Sequence, residues 1–168
     1  YLFDNEWLSN GDSGRPLGHV PAGRYQHLAV AGNGSVLLSG DEGLAIAKDG
    51  ATRPIAKTEP LRNARLWWLD DAWFAAGAGQ LVRVDLDGRF TPLQEMEITG
   101  LSRRGHELIV GTRHGYLGID ARSGEELLPL QSRVPVPEIT SVHAAPEGLW
   151  FGTARGAFFQ RPSENLAA

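Results

Sequence analysis

Short apolar runs recur along the chain, and each is followed by a turn that contains glycine. The clearest runs are VLLSG, WFAAG, LIVG and LWFG. The first glycines of their turns are Gly40, Gly77, Gly111 and Gly152, which are separated by 37, 34 and 41 residues. Glycine permits the backbone of a tight turn, and branched and aromatic residues favour the flanking strands. The pattern therefore predicts a series of β-hairpins.

A second mark with a similar period is a proline followed by an aliphatic residue. It occurs at Pro16-Leu17, Pro54-Ile55, Pro92-Leu93 and Pro129-Leu130, which are separated by 38, 38 and 37 residues. Because proline has no N–H to donate, it is confined within sheets largely to edge strands. These positions therefore predict that the last strand of each unit is an edge strand.

Two independent marks with a period of about forty residues, and no segment with a 3.6-residue apolar period, are typical of a β-propeller. The sequence predicts an all-β protein built of four-stranded antiparallel blades, with about four blades present. We expect residues 1–168 to form one propeller domain or propeller segment. The expected divisions are a partial blade at 1–20, blades at 21–57, 58–94 and 95–132, and a partial blade at 133–168.

The third unit illustrates the expected strands. They run from Glu97 to Ser102, Glu107 to Thr112, Tyr116 to Asp120 and Leu127 to Gln131. The second strand of each blade lies between neighbouring sheets and should be almost wholly apolar. We therefore expect eight residues of these strands to be buried: Leu37, Leu38, Phe74, Ala75, Ile109, Val110, Trp150 and Phe151.

The two ends of the chain allow two predictions about closure of the ring. Residues 1–4 and 15–20 are expected to be the third and fourth strands of a blade, whereas the last unit supplies three strands and the polar segment 161–165 offers no fourth. Either the N-terminal strand completes the last blade and closes a small four-bladed ring, or the chain is an arc of a larger propeller. The arc is favoured, and it should bind a protein partner, a second copy or the missing blades of the same protein.

Composition narrows the possible partners. Sixteen basic and twenty acidic residues give a net charge of -4 without long runs of either sign, which argues against nucleic acid. The absence of cysteine excludes thiol catalysis, thiolate zinc sites and disulfides. No apolar run approaches the ~20 residues that a membrane-spanning helix needs. We therefore expect neither nucleic acid nor a membrane-spanning segment.

Three stretches resemble bacterial propeller repeats. Residues 138–142, followed by GLWFGT and Gly156, resemble the repeat in periplasmic sensor regions of two-component regulators. Residues 36–50 are similar to photosystem II assembly-factor-like and Asp-box repeats, although the Asp-box turn and its tryptophan are absent. Residues 119–125 resemble the turn of quinoprotein-type repeats, again without the tryptophan. The resemblance implies a bacterial ligand-sensing or assembly platform without catalysis, and a periplasmic or extracellular location rather than a cytoplasmic one.

The turns between second and third strands carry the candidate ligand-binding residues. Arg113 and His114 lie in one such turn, Arg155 in another, and Asp41 and Glu42 in a third. Guanidinium groups suit carboxylates and phosphates, so these turns predict a polar rim for a small anionic or sugar ligand. The alternative interpretation is a set of solvated hairpin turns. The loops that enter first strands would extend the rim with three polar residues: Arg62, Asn63 and Arg133.

No catalytic constellation is recognisable in the sequence. The five histidines have no metal-ligand spacing, and the carboxylate pair Asp70-Asp71 fits a tight turn. No nucleophile elbow, phosphate loop or calcium loop is present. The sequence therefore favours a non-catalytic binding or sensing platform that needs no cofactor or metal. The alternatives are a propeller lyase or hydrolase that uses His114 and a carboxylate as acid and base, and a structural piece of a larger assembly.

Overall fold

A computed structural model describes residues 2–4, 7–9, 16–19, 25–131 and 138–161. Within these residues the chain consists of β-strands and turns, with one short 3-10 helix at Glu59–Leu61 and no α-helix. None of the described helical segments is long and apolar enough to cross a membrane. The all-β prediction is therefore confirmed.

The strands form five antiparallel sheets, and in each sheet the strands are hydrogen-bonded in chain order. The strands of the sheets are β1–β3 (Leu2–Asp4, Trp7–Ser9, Pro16–His19), β4–β7 (Tyr25–Val30, Val36–Gly40, Gly43–Lys48, Ala51–Pro54), β8–β11 (Arg65–Leu69, Ala72–Gly77, Gln80–Val84, Phe90–Gln94), β12–β15 (Gly100–Arg104, Glu107–Thr112, Gly115–Asp120, Glu126–Gln131) and β16–β18 (Ile139–Ala145, Gly148–Thr153, Gly156–Gln160). A four-stranded antiparallel meander of this kind is a propeller blade, which confirms the predicted fold class.

The chain divides into two compact units, residues 1–95 and 96–168. The first contains β1–β11 and the second contains β12–β18. The prediction that residues 1–168 form one propeller domain or segment with the blade limits given above stays a prediction.

The proline mark correctly identifies the last strand of four sheets. Pro16 lies in β3, Pro54 in β7, Pro92 in β11 and Pro129 in β15, and each of these strands is at an edge of its sheet. Proline removes one N–H from each edge, which hinders pairing with another chain.

The N-terminal strands differ from the prediction. A strand at Trp7–Ser9 lies between the two expected strands and pairs with both of them. It has only three residues, too few to show a period-two pattern in the sequence. Because β3 pairs with β2, and β18 pairs with β17 alone among the described strands, the described pairing contains no strand exchange that closes a four-bladed ring.

One core cluster of the first unit lies between sheets β4–β7 and β8–β11. Leu37 and Ile46 pack in one cluster with Trp73 and Val82. The buried indole N–H of Trp73 donates a hydrogen bond of 3.0 Å to the carbonyl oxygen of Ala29. This bond satisfies the one polar group of the ring and joins the two sheets.

The core of the second unit lies between sheets β12–β15 and β16–β18. Ile109 and Tyr116 from the first of these sheets pack against Ile139, Val142 and Phe151 from the second. The rings of Tyr116 and Phe151 have centroids 4.9 Å apart. Burial in this core raises the pKa of the Tyr116 hydroxyl above its ordinary value.

The structure confirms the burial of seven of the eight predicted core residues and corrects the eighth. The seven have exposed fractions of 0 or 1%, whereas 42% of Trp150 is exposed. Neighbouring residues in a strand point to opposite faces, and Phe151 takes the face that packs against β12–β15. Trp150 therefore lies on the opposite face of its sheet.

Candidate functional site

The hairpin turns after β13 and β17 have the same construction. The hydroxyl of Thr112 donates to the carbonyl oxygen of Gly115 at 3.0 Å and accepts from the backbone N–H of His114 at 3.1 Å. The hydroxyl of Thr153 makes the equivalent bonds to Gly156 at 2.9 Å and Arg155 at 3.1 Å. A threonine side chain therefore fixes each turn, which has Arg113 and His114 at its tip in one case and Ala154 and Arg155 in the other.

Arg113 contacts the segment that leads into β12. Its Nη2 atom lies 3.3 Å from Oε1 of Glu97, and the two side chains are 61% and 65% exposed. An ion pair this exposed contributes only about 0 to 1 kcal/mol, because water screens the charges. The guanidinium can therefore exchange Glu97 for another carboxylate at little cost.

A pocket of about 320 Å³ adjoins this turn. Its apolar part comes from Met96, Leu117 and Leu130, while Arg113 and His114 supply polar groups. The remaining lining residues are Glu97, Thr112 and Glu126. An apolar pocket with a few convergent polar groups is the usual form of a small-ligand site.

The imidazole of His114 has no orienting partner among the described residues. The turn fixes its backbone N–H, but no described carboxylate forms a hydrogen bond or ion pair with its ring. Glu97 and Glu126 line the same pocket. Acid–base catalysis commonly uses a base that a second group orients, and no such contact to this ring is described.

Asp41 and Glu42 lie in the equivalent turn of the first unit, between β5 and β6. Oδ1 of Asp41 accepts a hydrogen bond of 3.2 Å from the side-chain amide of Asn63, whose own N–H donates to the carbonyl oxygen of Gly40 at 3.0 Å. The structure therefore brings two of the predicted rim residues into contact. Nε of Arg62 instead donates to the carbonyl oxygen of Glu59 at 3.2 Å.

All five predicted ligand-binding residues lie in second-to-third-strand turns, but only Arg113 and His114 line the pocket. Arg155 lies in the corresponding turn of sheet β16–β18, outside the lining. Arg133 is outside the described residues. The ligand-binding roles of all five residues stay predictions.

Sequence reasoning missed most of the pocket's apolar lining. Met96 and Glu97 precede the first strand of the sheet, and Leu130 lies in its edge strand. These residues are far apart in the sequence and belong to no common motif. The fold brings them together. The one usable signal in the sequence was that β15, an edge strand, contains several leucines. Two of them, Leu127 and Leu130, are exposed in the structure.

The remaining polar groups fit structural roles. Asp70 and Asp71 form the tight turn between β8 and β9, as predicted. The described residues include no cluster of three histidine, aspartate or glutamate side chains that could hold a metal ion.

No protein-family model matches the sequence, and no curated protein sequence is significantly similar to it.

Solved structures share the fold at low sequence identity. The computationally designed Ika4 protein has a TM-score of 0.64 and 15% identity, over 84% of this chain and 93% of that one. The extracellular domain of the one component system BT4673 from B. thetaiotaomicron has a TM-score of 0.63 and 18% identity, over 83% of this chain and 21% of that one. Virginiamycin B lyase from Staphylococcus aureus has a TM-score of 0.60 and 12% identity, over 94% of this chain and 63% of that one.

The chain thus spans about a fifth of the length of the BT4673 structure. A shared fold at these identities carries no common activity, because propeller scaffolds hold different sites. The chain is similar to sensor extracellular domains and to a lyase in the one property that they share, which is an architecture of β-propeller blades.

Proposed function

We propose that this chain is a non-catalytic binding or sensing platform, and that the pocket beside Arg113 takes a small ligand with an apolar body and an anionic end. The observation that carries the proposal is that Arg113 and His114 line the same pocket as three apolar side chains. Met96, Leu117 and Leu130 suit an alkyl or aryl group, and the guanidinium suits a carboxylate.

The pocket volume of about 320 Å³ limits the ligand. It lies at the lower end of the range for small-molecule sites, about 300 to 1,000 Å³. A short aliphatic or single-ring carboxylate matches this size. The likeness to the extracellular domain of BT4673 supports a sensing role, and the same likeness supports a periplasmic or extracellular location.

Titration with hexanoate and with 1-hexanol, followed by NMR or calorimetry, tests the proposal. Hexanoate should bind more tightly, and Arg113→Gln should weaken it about tenfold or more, since a hydrogen bond to a charged group contributes about 1.5 to 3 kcal/mol. Arg122→Gln is the matched control, because Arg122 is exposed in the loop after β14 and is not among the lining residues. Equal binding of the two probes, or equal effects of the two substitutions, contradicts the proposal.

The alternative function is a lyase or hydrolase that uses His114 as acid or base. It is supported by the placement of Glu97 and Glu126 in the same pocket and by the shared fold of virginiamycin B lyase, a form of which was solved with quinupristin. Incubation with quinupristin followed by mass spectrometry tests it. Turnover that His114→Ala abolishes would replace the binding proposal with the enzymatic one.

A further inference from the structure

The pocket beside the turn between β13 and β14 extends along the edge strand of its sheet. Two of its lining residues, Glu126 and Leu130, belong to β15. Leu130 precedes Gln131, which lies opposite Tyr116, the second residue of β14 after the turn. Glu126 lies opposite Ile119, near the other end of β14. The lining therefore runs from the turn, past apolar side chains, to Glu126.

The strand spacing gives the length of this path. Tyr116 and Ile119 are three residues apart in β14, which corresponds to about 10 Å at about 3.3 Å per residue. Glu126 is thus about 10 Å along the sheet from the end that carries the turn. The extended chain of hexanoate has a similar length. A ligand that reaches from the turn to Glu126 is therefore a small linear molecule.

The two ends of the pocket carry opposite charges. At the turn, the guanidinium of Arg113 pairs with Glu97 at 3.3 Å. At the other end is the carboxylate of Glu126, and no residue in the described part of the chain forms an ion pair or a hydrogen bond with it. With His114 neutral, one arginine and two glutamates give the lining a net charge of -1. A ligand whose single charge is negative leaves Glu126 without a counter-charge.

The strand that carries Glu126 is otherwise uncharged. The sequence of β15 is ELLPLQ, so Glu126 is the only residue of this strand with a charged side chain. Three leucines follow it, and Leu130 lines the same pocket. The strand therefore presents a carboxylate at one end of an apolar stretch, and Arg113 lies beyond the other end of that stretch.

We infer that the ligand of this pocket carries an amine as well as a carboxylate, one at each end of an aliphatic chain. Its carboxylate binds Arg113 in place of Glu97, its chain lies against the apolar side chains of the lining, and its ammonium group binds Glu126. Opposite charges at the two ends also fix the direction in which the ligand binds. This inference rests on the proposed function, because it assigns a second charged group to the same ligand.

Calorimetric titration of the full chain with hexanoate, 6-aminohexanoate and 2-aminohexanoate tests the inference. We expect 6-aminohexanoate to bind about fivefold more tightly than hexanoate, which is the upper range for an exposed ion pair. The isomer 2-aminohexanoate has the same atoms, but its amine is next to the carboxylate and lies at the Arg113 end. It should bind no more tightly than hexanoate.

Two adjacent glutamates provide the variant and its control. Glu126→Gln should remove the advantage of 6-aminohexanoate over hexanoate, and it should not weaken the binding of hexanoate. Glu125→Gln is the matched control, because Glu125 is also exposed and is not among the lining residues. It should leave the affinities of both probes unchanged.

The outcomes separate this inference from the proposed function. Equal affinities for 6-aminohexanoate and hexanoate, equal affinities for the two amino isomers, or equal effects of Glu126→Gln and Glu125→Gln would overturn the inference. If hexanoate still binds in those cases and Arg113→Gln weakens it, the proposed function stands. If neither hexanoate nor 6-aminohexanoate binds, both are overturned.

Discussion

Ile109 and Trp150 occupy the same position in two sheets of the second unit, yet one is fully buried and the other is 42% exposed. The two strands have similar sequences, LIVGT and LWFGT, and both end in a threonine-fixed turn. The difference arises from the neighbouring sheet, because β16–β18 covers Ile109 and no sheet in that unit covers Trp150. The repeated strand sequence therefore determines which face of the sheet a side chain is on. Whether that side chain is buried depends on whether another sheet packs against that face.

The largest expected effect is a difference in stability between substitutions on the two faces of β17. Phe151→Ala should lower the free energy of unfolding by about 3 to 5 kcal/mol, because it leaves a cavity between two packed sheets. Trp150→Ala, on the exposed face, should cost less than about 1 kcal/mol in dilute protein. Urea denaturation measures both values. If the two substitutions cost the same, Trp150 is covered within the monomer and the comparison fails.

The next effect concerns the glycines one residue before the two threonines. A Cβ atom at Gly111 would lie 2.7 Å from Cγ2 of Val142 and 3.0 Å from Cγ2 of Ile139, both in the neighbouring sheet. Gly111→Ala should therefore cost about 1 to 3 kcal/mol through overpacking.

Gly152→Ala is the matched variant on the uncovered sheet. Its methyl group would meet the hydroxyl of Ser141, an exposed side chain that can rotate away. We expect Gly152→Ala to lower the stability less than Gly111→Ala does, and thermal melts of both variants measure the difference. A larger loss would mean that the uncovered face is as tightly packed as the covered one.

A smaller effect should distinguish the two threonines. Thr112→Val and Thr153→Val each remove the same pair of hydrogen bonds, but Thr112 is buried and Thr153 is half-buried. A buried N–H or C=O that loses its partner costs more than one that water can reach. We expect Thr112→Val to cost about 1 kcal/mol and Thr153→Val clearly less. Chemical denaturation of both variants measures the difference, and the reverse order would contradict it.

The smallest effect is a pH dependence at the connection between the third and fourth strands of sheet β12–β15. Oδ1 of Asp120, the last residue of β14, accepts hydrogen bonds from the backbone N–H groups of Ser123 at 2.8 Å and Arg122 at 2.9 Å. These bonds, together with the Ser123 hydroxyl, hold the pKa of Asp120 below its ordinary value.

Because the pKa of Asp120 is lower in the folded chain than in the unfolded one, its contribution to stability is complete above the unfolded pKa of about 4 and is lost as the pH falls through the folded pKa. Asp120→Asn should therefore destabilise the chain slightly at neutral pH, and the difference from the parent should shrink below about pH 4. Thermal melts across this pH range measure it. A difference that is constant with pH would show that the charge is not involved.

Local patterns in the sequence were sufficient for the fold. The strand predicted at Glu107–Thr112 agrees at both ends, since its apolar run and its turns are local features. The first strand of that sheet begins later than predicted and extends to Arg104, because Arg104 pairs with Glu107 both in the sheet and through a side-chain contact of 2.8 Å. Charged residues at a strand end resemble a turn until their cross-strand partner is known.

Non-local features could not be predicted from the sequence. Trp150 is exposed because no sheet of the second unit packs against its face of β16–β18. The pocket forms because Glu97 and Leu130, which are distant in the sequence, both lie near the turn at Arg113. The turn residues themselves could be identified, because threonine and glycine at fixed spacing determine the hairpin. Which turn adjoins a pocket is decided by the packing of the whole sheet.

The close contact between β12 and β16 has a mechanical consequence. A Cβ atom at Gly100 would lie 2.8 Å from the Cα atom of Ser141, so the two backbones meet directly, and the backbone N–H of Ala144 donates to the hydroxyl of Ser102 at 2.9 Å. A contact between two backbones allows little movement of one strand along the other, because few side chains lie between them that could change rotamer. We therefore expect a displacement of β12 to move β16 with it.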